Sequence, residues 1–365
     1  MNNHPGATGF DRISAIGKRL TALALALCLL LSCAAAEEQD EKNDWVSFLL
    51  ICNEGMNNRG GNAGNTLMVV GMNPVTGKIR LMMFAWDTFV QYHGYDIPQK
   101  IDMPYRNNGP EETMKVFNAN FNMDIQMFMS LNYLNLASLI DTYGGVNVDV
   151  SRAERNALNA MVASKKENIE AMFSMGLLSQ MVVESLAKDY YLADYGTQTH
   201  LLGMQAVGFG WLQYDSVYNC CLREKEVVAD LFESVANDIN ERVVFYTNET
   251  DYPDNTRGRR VINLDNMSED DTTYLYRLIK PIFQMSYNNL TEDEILGIST
   301  TLAHVAYAAR RQGVDIFDSL EYTIMPLEVQ NEYDYVAGTK GHLVDYAANS
   351  AAMKEFLYGK REDEE

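Results

Sequence analysis

The amino-acid sequence predicts an α/β fold, with α+β as the alternative, in which a central mixed β-sheet is flanked by helices. Three observations predict it. Short apolar runs bounded by Gly, Asn and Pro alternate with longer helical stretches. Two of those runs are joined by Asn73-Pro74-Val75-Thr76-Gly77-Lys78, with Pro early and Gly late, which is a hairpin signal. The composition, 47% hydrophobic and 22% charged over 365 residues, is that of a chain with a folded core. No internal repeat occurs, and no clear linker divides the mature part.

Residues 1–36 read as an export segment. Arg12, Lys18 and Arg19 precede an apolar run from Leu20 to Leu31, followed by small residues to Ala36 and acids from Glu37. Ala34-Ala35-Ala36 suits cleavage after Ala36. Leu30-Leu31-Ser32-Cys33 resembles a lipobox that would lipidate Cys33. The span from Leu20 to Ala36 is also at the short limit for an uncleaved membrane anchor. Each option places the rest of the chain outside the cytoplasm. Residues 37–44 form a polar linker.

Trp45 to Cys52 is a buried strand, and residues 53–65 are a Gly/Asn loop. Thr66 to Asn73 and Ile79 to Ala85 pair across the hairpin turn. Gly109-Pro110-Glu111-Glu112 opens a helix to about Asn122, with acids at its positive end. Ile125 to Leu131 is a strand. Tyr133 to Tyr143 is a helix stopped by Gly144-Gly145, and Val146 to Val150 is a strand. Residues 151–195 are mostly helical and Ala/Met-rich. Helices follow around Leu202 to Phe209 and from about Tyr218 to Asn240. Residues 247–263 are a polar loop, with helices near 269–285 and 291–312. Glu321 to Met325 and His342 to Tyr346 are strands, and Ser350 to Tyr358 is the last helix. The organisation expected is a main domain at 45–240 with a helical insertion at 151–200, an extension at 241–359 on the same domain, and a charged tail at 360–365.

The charge excludes some functions. Lys plus Arg number 29 and Asp plus Glu 50, a net charge of −21, so nucleic acid is not a partner. Five His and five Cys, without CxxC, HExxH or HxH, argue against zinc. The mature part holds Cys52, Cys220 and Cys221. A Cys52 link to Cys220 or Cys221 is one option, and three buried reduced thiols are the other. Gly60 to Gly64 lacks the Lys-Ser/Thr of a phosphate loop. Met161, Met172, Met175 and Met181 suit packing better than a cofactor box.

Several segments together resemble the LytR-CpsA-Psr (LCP) family. They are Asn65-Thr66 with the strand to Asn73-Pro74, then Trp86-Asp87-Thr88-Phe89-Val90, and Lys100-Ile101-Asp102-Met103-Pro104-Tyr105 with Gly109-Pro110-Glu111. Leu139-Ile140-Asp141-Thr142-Tyr143-Gly144-Gly145-Val146 and Leu202-Gly203-Met204-Gln205-Ala206 follow. Each motif alone is weak, and their collinear order is strong. The resemblance implies a phosphotransferase that moves a glycopolymer from a polyprenyl-pyrophosphate carrier to peptidoglycan outside Gram-positive cells. Such chemistry needs Arg forks, a divalent cation and an apolar pocket for the lipid.

The sequence departs from the family where that chemistry sits. The family's metal-associated Asp corresponds to Asn65, and the Arg of its R-D-T motif to Trp86, while Asp87 stays. Trp211 and Gln213 take two further Arg positions, and Cys220 takes another. Arg223 and Lys100 survive. Asp87, and weakly Asn65, are the metal candidates. Asp87, Lys100, Arg223, Trp86, Trp211, Gln213 and Cys220 are the substrate-binding positions. No catalytic residue and no cofactor is assigned, and Mg²⁺ accompanies any activity that remains. Each lost charged hydrogen bond removes roughly 1.5–3 kcal/mol of anion stabilisation. The expectation is therefore an extracytoplasmic LCP-like protein that has lost catalysis. It would bind a polyprenyl-pyrophosphate or cell-wall glycan, or act as a scaffold beside active relatives or other envelope proteins. Two alternatives stand. One is an active ligase with cations relocated to Arg59, Arg80, Arg106 or Arg223. The other is an extracellular ligand-binding lipoprotein. Trp86 and Trp211 form an aromatic platform or simply fill the volume the lost cations left.

Overall fold

The computed structural model describes residues 45–359, apart from 56–58, 62–63, 177–190, 248–251, 253–255, 257, 313–319, 328 and 337. The export segment with Cys28 and Cys33, the linker at 37–44 and the tail at 360–365 lie outside the described residues. Among the described residues, no helix is long and apolar enough to cross a membrane.

A mixed six-stranded sheet organises the chain. It contains β1 (Val46–Asn53), β2 (Gly64–Asn73), β3 (Lys78–Phe84), β6 (Met127–Asn132), β11 (Tyr287–Asn288) and β12 (Leu320–Met325), in the order β11-β6-β1-β2-β3-β12. The β1–β2 and β2–β3 pairs are antiparallel, whereas β1–β6 and β3–β12 are parallel. The side chains alternate with period two, and both sets are apolar. Leu50, Met68, Val70 and Leu81 face one layer, and Leu49, Ile51, Val69 and Met82 face the other. A sheet apolar on both faces must be covered on both.

Helices supply the cover. The first face carries α3 (Tyr133–Thr142), α5 (Gly203–Gly210), α6 (Val217–Arg242), α7 (Glu269–Met285) and α8 (Glu292–Gln312), through Ile140, Phe209, Val228, Ile279 and Ile298. The second carries α2 (Pro110–Phe121) and α9 (Tyr346–Tyr358), through Phe117, Phe121 and Leu357. There Phe84 meets Phe117 edge-on at 4.9 Å between ring centres. The hairpin turn is as expected: Asn73 Oδ1 accepts from the Val75 and Thr76 amides, and Gly77 takes the left-handed φ of 72°. Gly144 and Gly145, at φ 90° and 93°, end α3.

Other stretches differ from expectation. Residues 152–174 form α4 (Arg152–Ser174), but 196–201 form strand β8 (Gly196–Leu201), which pairs with β7 (Val146–Val150) instead of continuing the insertion as helix. The end of the expected polar loop is β10 (Arg260–Asn263). It runs parallel to β9 (Val243–Tyr246) because Ile262 supplies a fully buried anchor. Beyond β12, β13 (Val329–Val336) pairs antiparallel with β14 (Thr339–Val344). Two further short elements position the site: β4 (Phe89–Val90) paired with β5 (Gln99–Lys100), and α1 (Met103–Asn108).

The registers bring the sequence-predicted motifs to one end of the sheet. Thr66 at the start of β2 lies opposite Cys52 at the end of β1, Leu67 lies opposite Phe84 at the end of β3, and β6 ends beside β1. Ligands of α/β sheets collect at such carboxyl ends. Gly203 brings α5 against α3: a methyl there would overlap the Ala137 carbonyl. Gly203→Ala should therefore cost about 3 kcal/mol by overpacking, read from urea unfolding. A loss below about 0.5 kcal/mol would show that the helix pair can separate without strain.

Candidate functional site

The end of the sheet is filled by Trp211, Thr66, Glu224 and three cysteines. Trp211, directly after α5, is buried, and its Nε1–H donates to Thr66 Oγ1 at 3.1 Å. Glu224 in the second turn of α6 also bonds the Thr66 hydroxyl. Glu224 is only 4% exposed, and its Oε1 has no hydrogen-bond partner. Burial therefore pushes its carboxyl well above the ordinary range. Cys52, Cys220 and Cys221 are free and buried around it, so neither disulfide option is formed. Burial, then the neighbouring Glu224, raises all three thiols. They are poor nucleophiles. The Cys220 Sγ donates to the Gly210 carbonyl at 3.3 Å.

The surviving Arg is committed elsewhere. Arg223 is buried, and its fork reaches the two Asp215 carboxylate oxygens at 2.8 and 2.9 Å. It also donates to the Leu212 carbonyl at 2.5 Å and to Glu154 at 3.4 Å. The Arg223 bonds hold the Asp215 carboxyl at about 2. Two carboxylates thus offset a guanidinium that the resemblance assigns to an anion. Gln213 is exposed, with no hydrogen-bond partner among the described residues.

Asp87 is also engaged. Its Oδ1 lies 3.0 Å from His342 Nδ1, and the His342 amide donates to the Asp87 carbonyl at 3.1 Å. Gly341 is required beside this contact, because a methyl there would overlap the same carbonyl. In the sequence His342 is one of several scattered histidines. The neighbouring Gly is the signal that marks a close backbone approach. Asn65 stands in β2, and its side chain lies outside the described ones. Magnesium needs a near-octahedral set of oxygens. The buried carboxylate here faces an imidazole, and no three His, Cys, Asp or Glu side chains gather for a metal among the described residues. Of the two metal candidates, Asp87 is thus held against His342, and Asn65 has no described side chain.

Trp86 and Lys100 do come together. The Lys100 Nζ sits 4.6 Å from the Trp86 ring centre. Both line a cavity of about 360 Å³ with Arg106, Asp102, Val336 and Thr339. Arg106 pairs with Asp102 at 3.0 Å and remains half exposed. Burial raises the Asp102 carboxyl, against the pull of Arg106 and Lys100. Of the other relocation candidates, Arg80 is held by Glu321 at 2.6 Å and lies over Trp45 at 4.5 Å. Arg59 lies over Tyr287 at 4.6 Å. On the first face of the sheet, a second cavity of about 90 Å³ is wholly apolar, lined by Leu50, Met129, Val228, Leu231, Phe232 and Ile298 among others. It is well below the ~300 Å³ at which small-molecule sites begin.

Sequence reasoning missed Glu224 as a site residue. Its signal is helical spacing: it falls one turn after Cys220 and one turn before Val228, on the buried stripe of α6. In the unfolded chain this carboxyl ionises as pH rises past its ordinary 4.5, whereas the folded one does not. Stability is therefore lost as pH rises from about 4.5 toward the folded value, by up to ~1.4 kcal/mol per pH unit. Glu224→Gln removes that slope. Its stability relative to wild type should increase between about pH 5 and pH 7 in denaturant titrations. A difference that stays flat would mean that Glu224 is ionised in the folded protein.

Comparison with known proteins agrees with this architecture. Residues 31–238 match the model of the LytR_cpsA_psr family. The polyisoprenyl-teichoic acid–peptidoglycan teichoic acid transferase TagU of Bacillus anthracis is 26% identical over 113 residues, 30% of this chain and 36% of that protein. Its counterpart from Oceanobacillus iheyensis is 27% identical over 121 residues, 31% and 37% of the respective chains. The matched stretch thus spans about a third of the length of these relatives. Crystal structures of Bacillus subtilis TagV and of protein gbs0355 from Streptococcus agalactiae each superpose with a TM-score of 0.55, at 12% and 16% identity. Both superpositions cover 88% of this chain, with 100% of TagV and 90% of gbs0355. The shared fold and the family match over more than half of the sequence lead to one conclusion: this chain belongs to the LytR_cpsA_psr family.

Proposed function

We propose that this chain is an extracytoplasmic family member that holds a polyprenyl-linked or cell-wall glycan without transferring it. Residues 1–36 export or anchor it, the linker at 37–44 follows, and 45–359 act as one unit with the C-terminal extension. One observation carries the reading: Trp211, at a position the resemblance gives to a cation, is buried and donates to Thr66, whose hydroxyl also meets the buried Glu224 carboxyl. Phosphoryl transfer rests almost wholly on positioning and on charge that stabilises the transferring oxygens. Here the buried Arg223 is already neutralised by Asp215 and Glu154. Asp87, Arg223, Trp211 and Cys220 then serve the structure, while Trp86 and Lys100 face the ligand. Active relatives or other envelope proteins are the partners of a chain that binds and does not turn over.

A second reading, a ligase with relocated cations, is favoured by one observation: Lys100 and Arg106 line the same cavity. The two readings separate in a transfer assay. The full chain is incubated with a short polyprenyl-pyrophosphate saccharide and Mg²⁺, and release of the phosphorylated lipid is followed. The expected rate equals that without protein. Metal-dependent release that falls at least about tenfold in Arg106→Gln would establish the ligase instead.

A further inference from the structure

We infer that the cavity between Trp86 and the β13–β14 hairpin is a binding site for a saccharide carrying a single anionic group. This deepens the binding reading above and rests on its claim that glycan is held here. The cavity is assembled from two sources. Trp86, Phe89, Lys100, Asp102 and Arg106 come from the segment that matches the family, which ends at residue 238. Val336 and Thr339 come from the hairpin beyond it. Its volume of about 360 Å³ is within the small-molecule range.

The lining specifies the ligand. The Trp86 indole, with Lys100 Nζ 4.6 Å from its ring centre, sets an apolar plate beside a cation, a pairing that suits a sugar carrying an anion. Lys100 and Arg106 bring two positive charges, and Asp102 returns one negative. One net positive charge suits a uronate carboxylate or a sugar phosphodiester, each of which carries one negative charge. It is a poor match for a pyrophosphate, and the chain's net charge of −21 opposes any polyanion. Thr339 adds a hydroxyl at the wall for the sugar's own hydroxyls.

The test titrates the full chain separately with glucuronate, the methyl diester of glucose 1-phosphate, glucose and inorganic phosphate, by calorimetry with tryptophan fluorescence alongside. Glucuronate, the phosphodiester or both should bind saturably, at least about tenfold tighter than glucose and weakened by added salt. The carboxylate and phosphate arms tell the two anion sources apart. Lys100→Met and Arg106→Gln, at exposed or half-exposed positions, should each weaken binding about tenfold with unchanged thermal unfolding. Thr339→Trp, which narrows the hairpin wall, should weaken it with Lys100 and Arg106 intact. Equal affinity for glucose, inorganic phosphate binding as tightly as the sugar phosphodiester, or no saturable binding would each overturn the inference. None of the probes contains a lipid or a pyrophosphate. Failure here therefore leaves the absence of transfer standing, and lipid turnover in the transfer assay would remove that reading independently.

Discussion

The stripe of α6 that runs through Cys220, Glu224, Val228 and Val235 is pressed onto the sheet, and its first two turns reach the carboxyl ends of β1 and β3. Groups held there are out of water, so each must be uncharged or paired where it stands. The residues meet that condition together. Trp211 supplies bulk and one N–H, Thr66 receives it, and burial raises the Glu224 carboxyl well above its ordinary range. Arg223, one position before Glu224, turns toward Asp215 and Glu154. An ion pair of that kind is self-sufficient, and recruiting its guanidinium for a phosphate would strand two carboxylates.

The C-terminal extension completes the change. β12 lengthens the sheet beside β3, and α9 covers the face opposite α6. The β13–β14 hairpin then brings His342 onto Asp87. A carboxylate that the resemblance assigns to a metal thereby becomes a point where two distant parts of the chain are tied. The same hairpin walls a cavity whose indole and two cations face outward from the filled centre. The proposed binding site thus lies at the margin of the sheet.

Much of this fold is legible along the sequence because its causes are local. Period-two runs at 46–53 and 66–73, the turn around Asn73 and Gly77, and the Gly144-Gly145 stop all act within a few residues. The site is less legible, for physical reasons. The Asp87–His342 contact joins residues 255 apart, and nothing near either one announces the other. Arg223 and Asp215 are only eight apart, yet reading Arg223 by family position hides the pairing. Trp211 as a volume filler agrees with its burial, whereas Trp86 remains at a cavity surface. β13 escapes notice because its Gln, Asn, Glu and Asp leave no apolar alternation. β10 is short and held by a single deeply buried Ile.

The central claim is that the end of the sheet holds no pyrophosphate, and it is tested most directly without any sugar or acceptor. Phosphorus NMR of a short prenyl pyrophosphate, titrated with the full chain with and without Mg²⁺, reads the headgroup itself. The account predicts phosphorus resonances that keep their free positions and widths at every protein concentration. A saturable displacement of both resonances that strengthens with Mg²⁺ would contradict it, because it would place the headgroup where Trp211 and Glu224 now stand.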